Sequence, residues 1–269
     1  MARTFLVRKV AKWHLKELII AKKTAREAGK ILLSHFGNLK DVRYKSGRRD
    51  PVSEADEASE AYIAKALKEA FPDYGFLGEE KTFWSGKGAR WVVDPLDGTV
   101  NYAHGLPIFC VSIALERDGE SVMGVVYNPV TRELFHAVKG GGAFLNNRPI
   151  SVSEQKSLGK ALVVTGFPYD IDRRADLILG YFGKMVKASQ GMRRLGSAAL
   201  DLCFVAAGRF DGYWELGLKP WDTAAGYLIV REAGGKVTDL SGVEFKPEIG
   251  EIVASNGKIQ KEMLEVLKG

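Results

Sequence analysis

Two carboxylates three residues apart follow directly after an apolar run that begins at Trp91. The segment reads Asp94-Pro95-Leu96-Asp97-Gly98-Thr99. Carboxylate oxygens suit Mg²⁺, which proteins bind with a few such groups, waters and substrate phosphate oxygens. The segment can therefore hold a divalent metal against a phosphate. Asp-Pro and Asp-Gly are also common turn dipeptides, so the segment alone is equally compatible with a strand-ending turn.

Further carboxylates occur beside predicted elements elsewhere in the chain. Glu79 follows a short apolar strand that begins at Phe76, and Asp222 lies where the N-cap of a predicted helix over residues 223–233 would be. Asp50 precedes another predicted helix, with Ser53 as its N-cap. Each of these acidic residues taken singly is more often structural than catalytic. A metal site requires that they converge in space.

The order of these segments resembles the inositol monophosphatase family, from the helix before Asp50 to Gly235. Its signatures are an acidic pair after glycine, then DPxDGTxN, then a WDxxAG helix. Two further segments, residues 196–202 and 205–215, are similar to bacterial and archaeal members, including the extragenic-suppressor type. The resemblance implies a layered αβαβα sandwich of the sugar phosphatase type, an α+β fold. We expect two subdomains, residues 1–150 and 151–269, that share one cleft.

The resemblance also implies a metal centre and a catalytic group. Two or three Mg²⁺ ions would be coordinated by the Leu96 carbonyl and by the side chains of Glu79, Asp94, Asp97 and Asp222. Thr99, hydrogen-bonded to Asp50, would orient the attacking water and accept its proton, with Glu79 as a third catalytic residue. The backbone N–H groups of Gly98 and Thr99 would bind the phosphate.

The same resemblance points to residues that bind the rest of the substrate. They are Gly196, Ser197, Ala198, Glu215 and Arg193. The implied activity is hydrolysis of inositol 1-phosphate to inositol and phosphate. Arg193 and Arg194 keep a fructose-1,6-bisphosphatase or a dual enzyme open, because arginine can grip a second phosphate with two hydrogen bonds. A solvated or subunit-facing arginine pair is the structural alternative, and a 3′-phosphonucleotidase is a further enzyme alternative.

Alternation of apolar and polar residues predicts where strands and helices fall. Two helices open the chain, and a meandering antiparallel sheet follows up to Ile150. After Ser151, strands and helices alternate, which favours a mixed sheet covered by helices. We expect helices over residues 175–187, 197–207 and 258–267 in that half.

Composition bounds the other expectations. The chain has 269 residues, 46% of them apolar, and a net charge of +6 with pI ≈ 9.1. The charge invites an RNA or transcription-complex binding protein. However, the one basic cluster spans residues 40–49 and no RNA-binding signature appears, so nucleic acid is not the expected main partner.

Localisation, cysteine usage and assembly are further expectations. No apolar stretch approaches the about 20 residues that a membrane span needs, which predicts a cytoplasmic protein without a membrane partner. Cys110 and Cys203 fit no metal-binding spacing and look like small buried residues. By the family resemblance we expect a lithium-sensitive homodimer that acts on a small sugar or inositol phosphate.

Overall fold

The computed structural model describes residues 14–38, 42–44 and 51–268. Asp50 and most of the basic cluster over residues 40–49 lie outside the described residues. Helix α1 covers Leu15–His35 and helix α2 covers Glu54–Ala70, with the short pair β1 (Val42–Tyr44) and β2 (Pro51–Ser53) between them. The Ser53 hydroxyl accepts a hydrogen bond from the Ala55 amide at 3.2 Å, which confirms the predicted N-cap.

The first sheet has eight strands and contains the predicted meander. Its strands are β3 (Gly75–Gly78), β4 (Phe83–Trp84), β5 (Arg90–Asp97), β6 (Cys110–Arg117), β7 (Glu120–Asn128), β8 (Glu133–Val138), β9 (Ala143–Leu145) and β10 (Arg148–Ile150). Their order is β10-β9-β8-β7-β6-β5-β3-β4. Neighbours pair antiparallel except β3 and β5, which are parallel and so place the residues after their carboxyl ends at one edge.

The second sheet has five strands and is mixed, as predicted. Its strands are β11 (Leu162–Thr165), β12 (Gly191–Arg193), β13 (Gly212–Leu216), β14 (Lys236–Thr238) and β15 (Glu251–Ser255). Their order is β12-β11-β13-β15-β14, with β11 parallel to both its neighbours and β15 antiparallel to both of its own. The sheets change over between Ile150 and Leu162; the subdomain boundary at residue 150 stays a prediction.

The remaining helices lie between and outside the two sheets. They are α3 (Thr99–Ala103), α4 (Ile171–Ala188), α5 (Ala198–Ala206), α6 (Pro220–Thr223), α7 (Gly226–Glu232) and α8 (Gln260–Lys268). One apolar core joins α1 and α2 to the first sheet, a second joins α5 and α7 to both sheets, and a third joins α4 and α8 to the second sheet. This layering confirms the αβαβα fold. Helix α4 begins four residues before the predicted start at residue 175.

One predicted helix is divided in the structure. Residues 223–233 do not form a continuous helix; α6 ends at Thr223, and α7 begins at Gly226. The prediction that Asp222 is an N-cap is therefore wrong, because Lys219 holds that position and Asp222 lies inside α6. The break lets Ala225 pack on the first sheet. A Cβ atom on Gly124 of β7 would lie 2.7 Å from the Ala225 carbonyl oxygen.

Gly124→Ala should therefore separate the α6–α7 junction from the sheet. We expect a loss of about 1–3 kcal/mol in the free energy of unfolding, the usual cost of overpacking. Gly180→Ala in α4 is the matched control, because no atom beyond its chain neighbours and its own helix backbone lies within 4 Å of its added Cβ. That change should stabilise the helix by up to about 1 kcal/mol. Urea unfolding measures both, and equal effects of the two changes would contradict the proposed contact.

Candidate active site

Asp94 and Asp97 lie on one β5 strand whose pairing is irregular between them. Asp94 pairs with Ser112, and Asp97 pairs with Cys110, so three steps on β5 match two on β6. In a regular strand, residues three apart point to opposite faces. One extra residue, a β-bulge, removes that alternation. Pro95 suits this position because it has no N–H to donate to the ladder. Both aspartates therefore reach the same corner.

Gly98 follows the bulge in a left-handed conformation, with φ of +97°. A Cβ atom there would lie 2.8 Å from the Ile108 carbonyl oxygen, so a larger residue would be both strained and crowded. The chain then turns at once into α3. Gly98 and Thr99 line the cleft beside Asp97, where the predicted phosphate site requires them.

The Thr99 side chain is buried, and its hydroxyl has two acceptors within reach. It lies 2.9 Å from the Leu96 carbonyl oxygen and 3.3 Å from Asp56 Oδ1. The other oxygen of Asp56 accepts bonds from the amide and the hydroxyl of Ser53. The expected contact of Thr99 with Asp50 lies outside the described residues. Sequence reasoning assigned Asp56 to helix capping alone and missed its position against Thr99.

Four carboxylates from three segments of the chain, Glu79, Asp94 with Asp97, and Asp222, interact at this corner. Burial, followed by the charges of Glu79, Asp97 and Asp222, raises the pKa of Asp94 well above its usual value. Burial and the charge of Glu79 raise the pKa of Asp222 in the same way. Burial raises the pKa of Asp97 to about 6. Like charges at short range disfavour ionisation. The structure thus brings together the four side chains that the sequence proposed as metal ligands.

Three of these carboxylates are held in place through backbone donors. The Leu96 amide donates to Asp94 Oδ1 at 2.9 Å, and the Lys219 amide donates to Asp222 Oδ2 at 2.6 Å. Asp97 Oδ2 accepts the Ala199 amide at 2.7 Å. An all-oxygen set of clustered carboxylates beside a carbonyl is the ligand chemistry that Mg²⁺ requires.

The side chains at this corner therefore have the ligand atoms that Mg²⁺ prefers, but these atoms are not arranged at coordination distances around one point. Among residues 14–38, 42–44 and 51–268, no three carboxylate, imidazole or thiol groups lie close enough together to coordinate one metal ion as they stand. The four carboxylates nevertheless repel one another, and a bound cation would relieve that repulsion.

Asp97 also links this corner of carboxylates to the start of α5. The Ser197 hydroxyl donates to Asp97 Oδ2 at 2.6 Å, and Cys110 Sγ lies 3.7 Å from the same oxygen. Ser197 was expected to contact substrate, but its hydroxyl is engaged with Asp97. Cys110 and Cys203 are both buried and unbridged.

A cleft of about 580 Å³, counted with its open mouth, adjoins the carboxylates. The lining includes every predicted substrate residue except Arg193: Gly196, Ser197, Ala198 and Glu215. Arg194 lines the cleft instead, whereas the Arg193 guanidinium donates to the carbonyl of its neighbour Met192.

Glu215 forms the far wall of the cleft and is buried, with 7% of its surface exposed. The Tyr213 hydroxyl donates to its Oε2 at 2.6 Å. Burial raises the pKa of Glu215 to about 7, although the Tyr213 bond and the Arg194 charge oppose the shift. A Cβ atom on Gly166 would lie 2.0 Å from this carboxylate. Glycine there lets the 166–169 loop close over Glu215.

Sequence reasoning missed Tyr169 at the end of this loop. The residue is 49% exposed at the rim of the cleft. Even so, burial of its phenol and the charges of Glu79 and Asp222 raise the pKa of Tyr169 well above its usual value. Tyr169 lines the cleft together with Asp97 and Asp222. The Gly-Phe-Pro run before Tyr169, directly after a β-strand, was the signal that could have indicated a binding loop.

This chain is similar in sequence to known proteins over most of its length. A sequence model described as the inositol monophosphatase family matches residues 14–268. The chain belongs to this family. Members are phosphoric monoester hydrolases that act on small inositol phosphates and are generally metal-dependent, so this member is a phosphatase.

Individual relatives agree with that membership. The inositol-1-monophosphatase of Rhizobium meliloti is 47% identical over 90% of this chain and 92% of its own length. The Nus factor SuhB of Pseudomonas aeruginosa is 45% identical over 93% of this chain and 95% of its own. The crystal structure of the extragenic suppressor protein suhB from Bartonella henselae, 42% identical, has a TM-score of 0.89 over 93% of this chain and 98% of that one.

Metal-free stability of this inositol monophosphatase family member should fall as pH rises. In the folded protein the pKa of Asp97 is about 6 and the pKa of Glu215 is about 7. Unfolding lowers both pKa values toward that of an ordinary carboxyl group. Between those limits the folded state holds more protons, so raising pH favours unfolding. In EDTA, the Tm at about pH 7.5 should therefore lie below that at about pH 5.5. Saturating Mg²⁺ should raise the Tm more at the higher pH, since protons compete for the same oxygens. An equal pH dependence with and without Mg²⁺ would contradict this reading.

Proposed function

We propose that the protein is a Mg²⁺-dependent phosphomonoesterase that hydrolyses inositol 1-phosphate to inositol and phosphate. The observation that carries this proposal is the corner of four interacting carboxylates beside a cleft of about 580 Å³. One wall of that cleft is acidic and suited to metal. The other carries Glu215 and Arg194, whose polar groups suit a polyol. Bound Mg²⁺ would supply Lewis-acid chemistry there, by neutralising phosphate charge and making water a better nucleophile.

The ions would be held by the Leu96 carbonyl and the side chains of Glu79, Asp94, Asp97 and Asp222. The summed charge of the carboxylates and the phosphate indicates how many ions would bind. Four carboxylates contribute −4 and a phosphate monoester dianion −2, so two Mg²⁺ leave about −2 and three leave about zero. Binding requires the carboxyls to be deprotonated and their oxygens to move onto the ions. Two resident ions, with a third that accompanies substrate, satisfy this balance.

Thr99 is the group that would orient and deprotonate the attacking water. Its hydroxyl has the Leu96 carbonyl and Asp56 as acceptors. Because the Leu96 carbonyl is also a proposed metal ligand, Asp56 becomes the better acceptor when metal binds. A Thr99 hydroxyl that donates to a carboxylate can pass a proton onward while it accepts one from water. Asp50 and Glu79 would complete this relay, and the Gly98 and Thr99 amides would bind phosphate oxygens.

The cleft favours a polyol over a second phosphate. Arg194 could grip an additional phosphate, but its charge acts on the neighbouring Glu215. A carboxylate beside the guanidinium repels a phosphate and accepts hydrogen bonds from hydroxyls. Inositol, with several hydroxyls and no second charge, matches this pair. The backbone of Gly196 and Ala198 lies along the same wall.

Arg194→Met tests this assignment, with Arg193→Met as the matched control. We expect Arg194→Met to lower kcat/KM for inositol 1-phosphate about tenfold, the value of one charged hydrogen bond. Arg193→Met should leave it unchanged, because Arg193 lies outside the cleft lining. Fructose 1,6-bisphosphate and adenosine 3′,5′-bisphosphate belong in the same assay. A higher kcat/KM for either, abolished by Arg194→Met, would establish the bisphosphatase or nucleotidase alternative instead.

Asp94→Asn tests the metal-dependent chemistry itself. Loss of a charged ligand should lower kcat for phosphate release at least about a hundredfold at saturating Mg²⁺. Asp176→Asn on the exposed surface of α4 controls for the loss of one negative charge. Unchanged activity in Asp94→Asn would refute the assignment.

A transcription role is the second candidate, favoured by close relatives named Nus factor SuhB at 41–45% identity. The net charge of +6 is compatible with it. RNA binding that weakens steeply with salt, in a protein without Mg²⁺-dependent phosphate release, would place this role first.

The proposal further includes a homodimer, a cytoplasmic location and inhibition by Li⁺. No helix in the described part of the chain is long and apolar enough to span a bilayer.

A further inference from the structure

Three buried side chains on one face of α2 contact separate pieces of the candidate metal centre. Asp56, Ser59 and Glu60 share that face because residues three and four apart are neighbours on a helix. Asp56 lies 3.3 Å from the Thr99 hydroxyl, and the Ser59 hydroxyl donates to the Pro95 carbonyl at 2.9 Å. Glu60 contacts the third piece, the loop that carries Glu79.

Glu60 binds this loop through both carboxylate oxygens. Its Oε2 accepts the Glu80 amide at 2.8 Å, and its Oε1 accepts the Thr82 amide at 3.0 Å. These two amides bracket Lys81, whose φ of +146° is rare for an L residue. A loop in such a conformation keeps it only when its surroundings fix it. The paired bonds to Glu60 fix the loop from one residue after Glu79. Backbone bonds from the Gly78 amide to the Thr82 carbonyl and from the Glu79 amide to the Val93 carbonyl hold its other side.

The packing around Glu60 is built for this contact. A Cβ atom on Gly78 would lie 2.4 Å from Glu60 Oε2, so glycine is what lets the carboxylate reach the loop. Glu60 is 3% exposed. Within the described ranges, no lysine, arginine or histidine forms a salt bridge with it. A buried carboxylate needs strong hydrogen bonds to offset its desolvation, and here backbone amides supply them.

We propose that Glu60 is a positioning residue for the metal centre: it fixes the loop that carries Glu79 and thereby sets where this ligand meets the ion. The inference rests on the proposed function, because it takes Glu79 as a ligand. Glu60 itself does not touch the metal or the substrate. Its effect passes through the Glu80 and Thr82 amides.

The test is Mg²⁺ affinity, measured by isothermal titration calorimetry on the full chain without substrate. Glu60→Asp keeps the charge but is one methylene too short for both amides, and Glu60→Gln keeps the length but loses the charge. Both should weaken Mg²⁺ binding about 10- to 100-fold, the usual effect of losing a partner that orients a ligand. Glu69→Gln on the exposed face of α2 is the matched control and should bind as the wild type does. Excess Mg²⁺ should restore most of the kcat of both Glu60 variants.

Three results would overturn the inference. Wild-type affinity in both Glu60 variants would reduce Glu60 to a structural role, whatever their Tm. Weakening in Glu60→Gln alone would mean that charge, not position, matters. If neither variant folds, Gly78→Ala displaces the same carboxylate, and unchanged affinity there would be equally decisive. Failure of the proposed function is distinguishable, because it would appear as a wild-type protein that binds no Mg²⁺.

Discussion

Mutual repulsion among buried carboxylates is the constraint on which this structure depends. Asp94 and Asp222 both have pKa values well above the usual range, raised by burial and then by the charge of Glu79. Folding places negative charges where water cannot screen them, which costs free energy that packing elsewhere must offset. A divalent cation reverses the sign of that interaction. The same feature that weakens the metal-free protein is therefore the one that would give the proposed site its affinity for metal.

The fold keeps this unfavourable corner together through contacts that are individually ordinary. A bulge at Pro95 puts Asp94 and Asp97 on one face, and the amides at the start of α5 hold Asp97. Helix α2 spans the back of the corner with Asp56 and Glu60. The start of α5 thus has two roles in the cleft, because Ser197 and Ala199 donate to Asp97 and Ser197 and Ala198 line the cleft.

The sequence predicted what local rules determine. The capping pattern at Ser53, the meander and the mixed second sheet follow from periodicity and turn residues, whereas the set of four carboxylates came from the family resemblance. Long-range geometry was not predictable. Asp56 satisfied a local capping rule, which concealed its contact with Thr99. Arg193 and Arg194 differ by one position at the end of a three-residue strand, too short for alternation to decide which one faces the cleft. The break before Gly226 depends on a contact with the distant Gly124.

The most direct measurement is anomalous diffraction from crystals grown with Mn²⁺ in place of Mg²⁺. We predict at least two anomalous peaks in the corner, each about 2.0–2.3 Å from carboxylate oxygens. Asp94, Asp97, Glu79 and Asp222 should supply those oxygens between them. Ordered crystals that contain Mn²⁺ elsewhere but show no peak beside Asp94 would contradict the central claim.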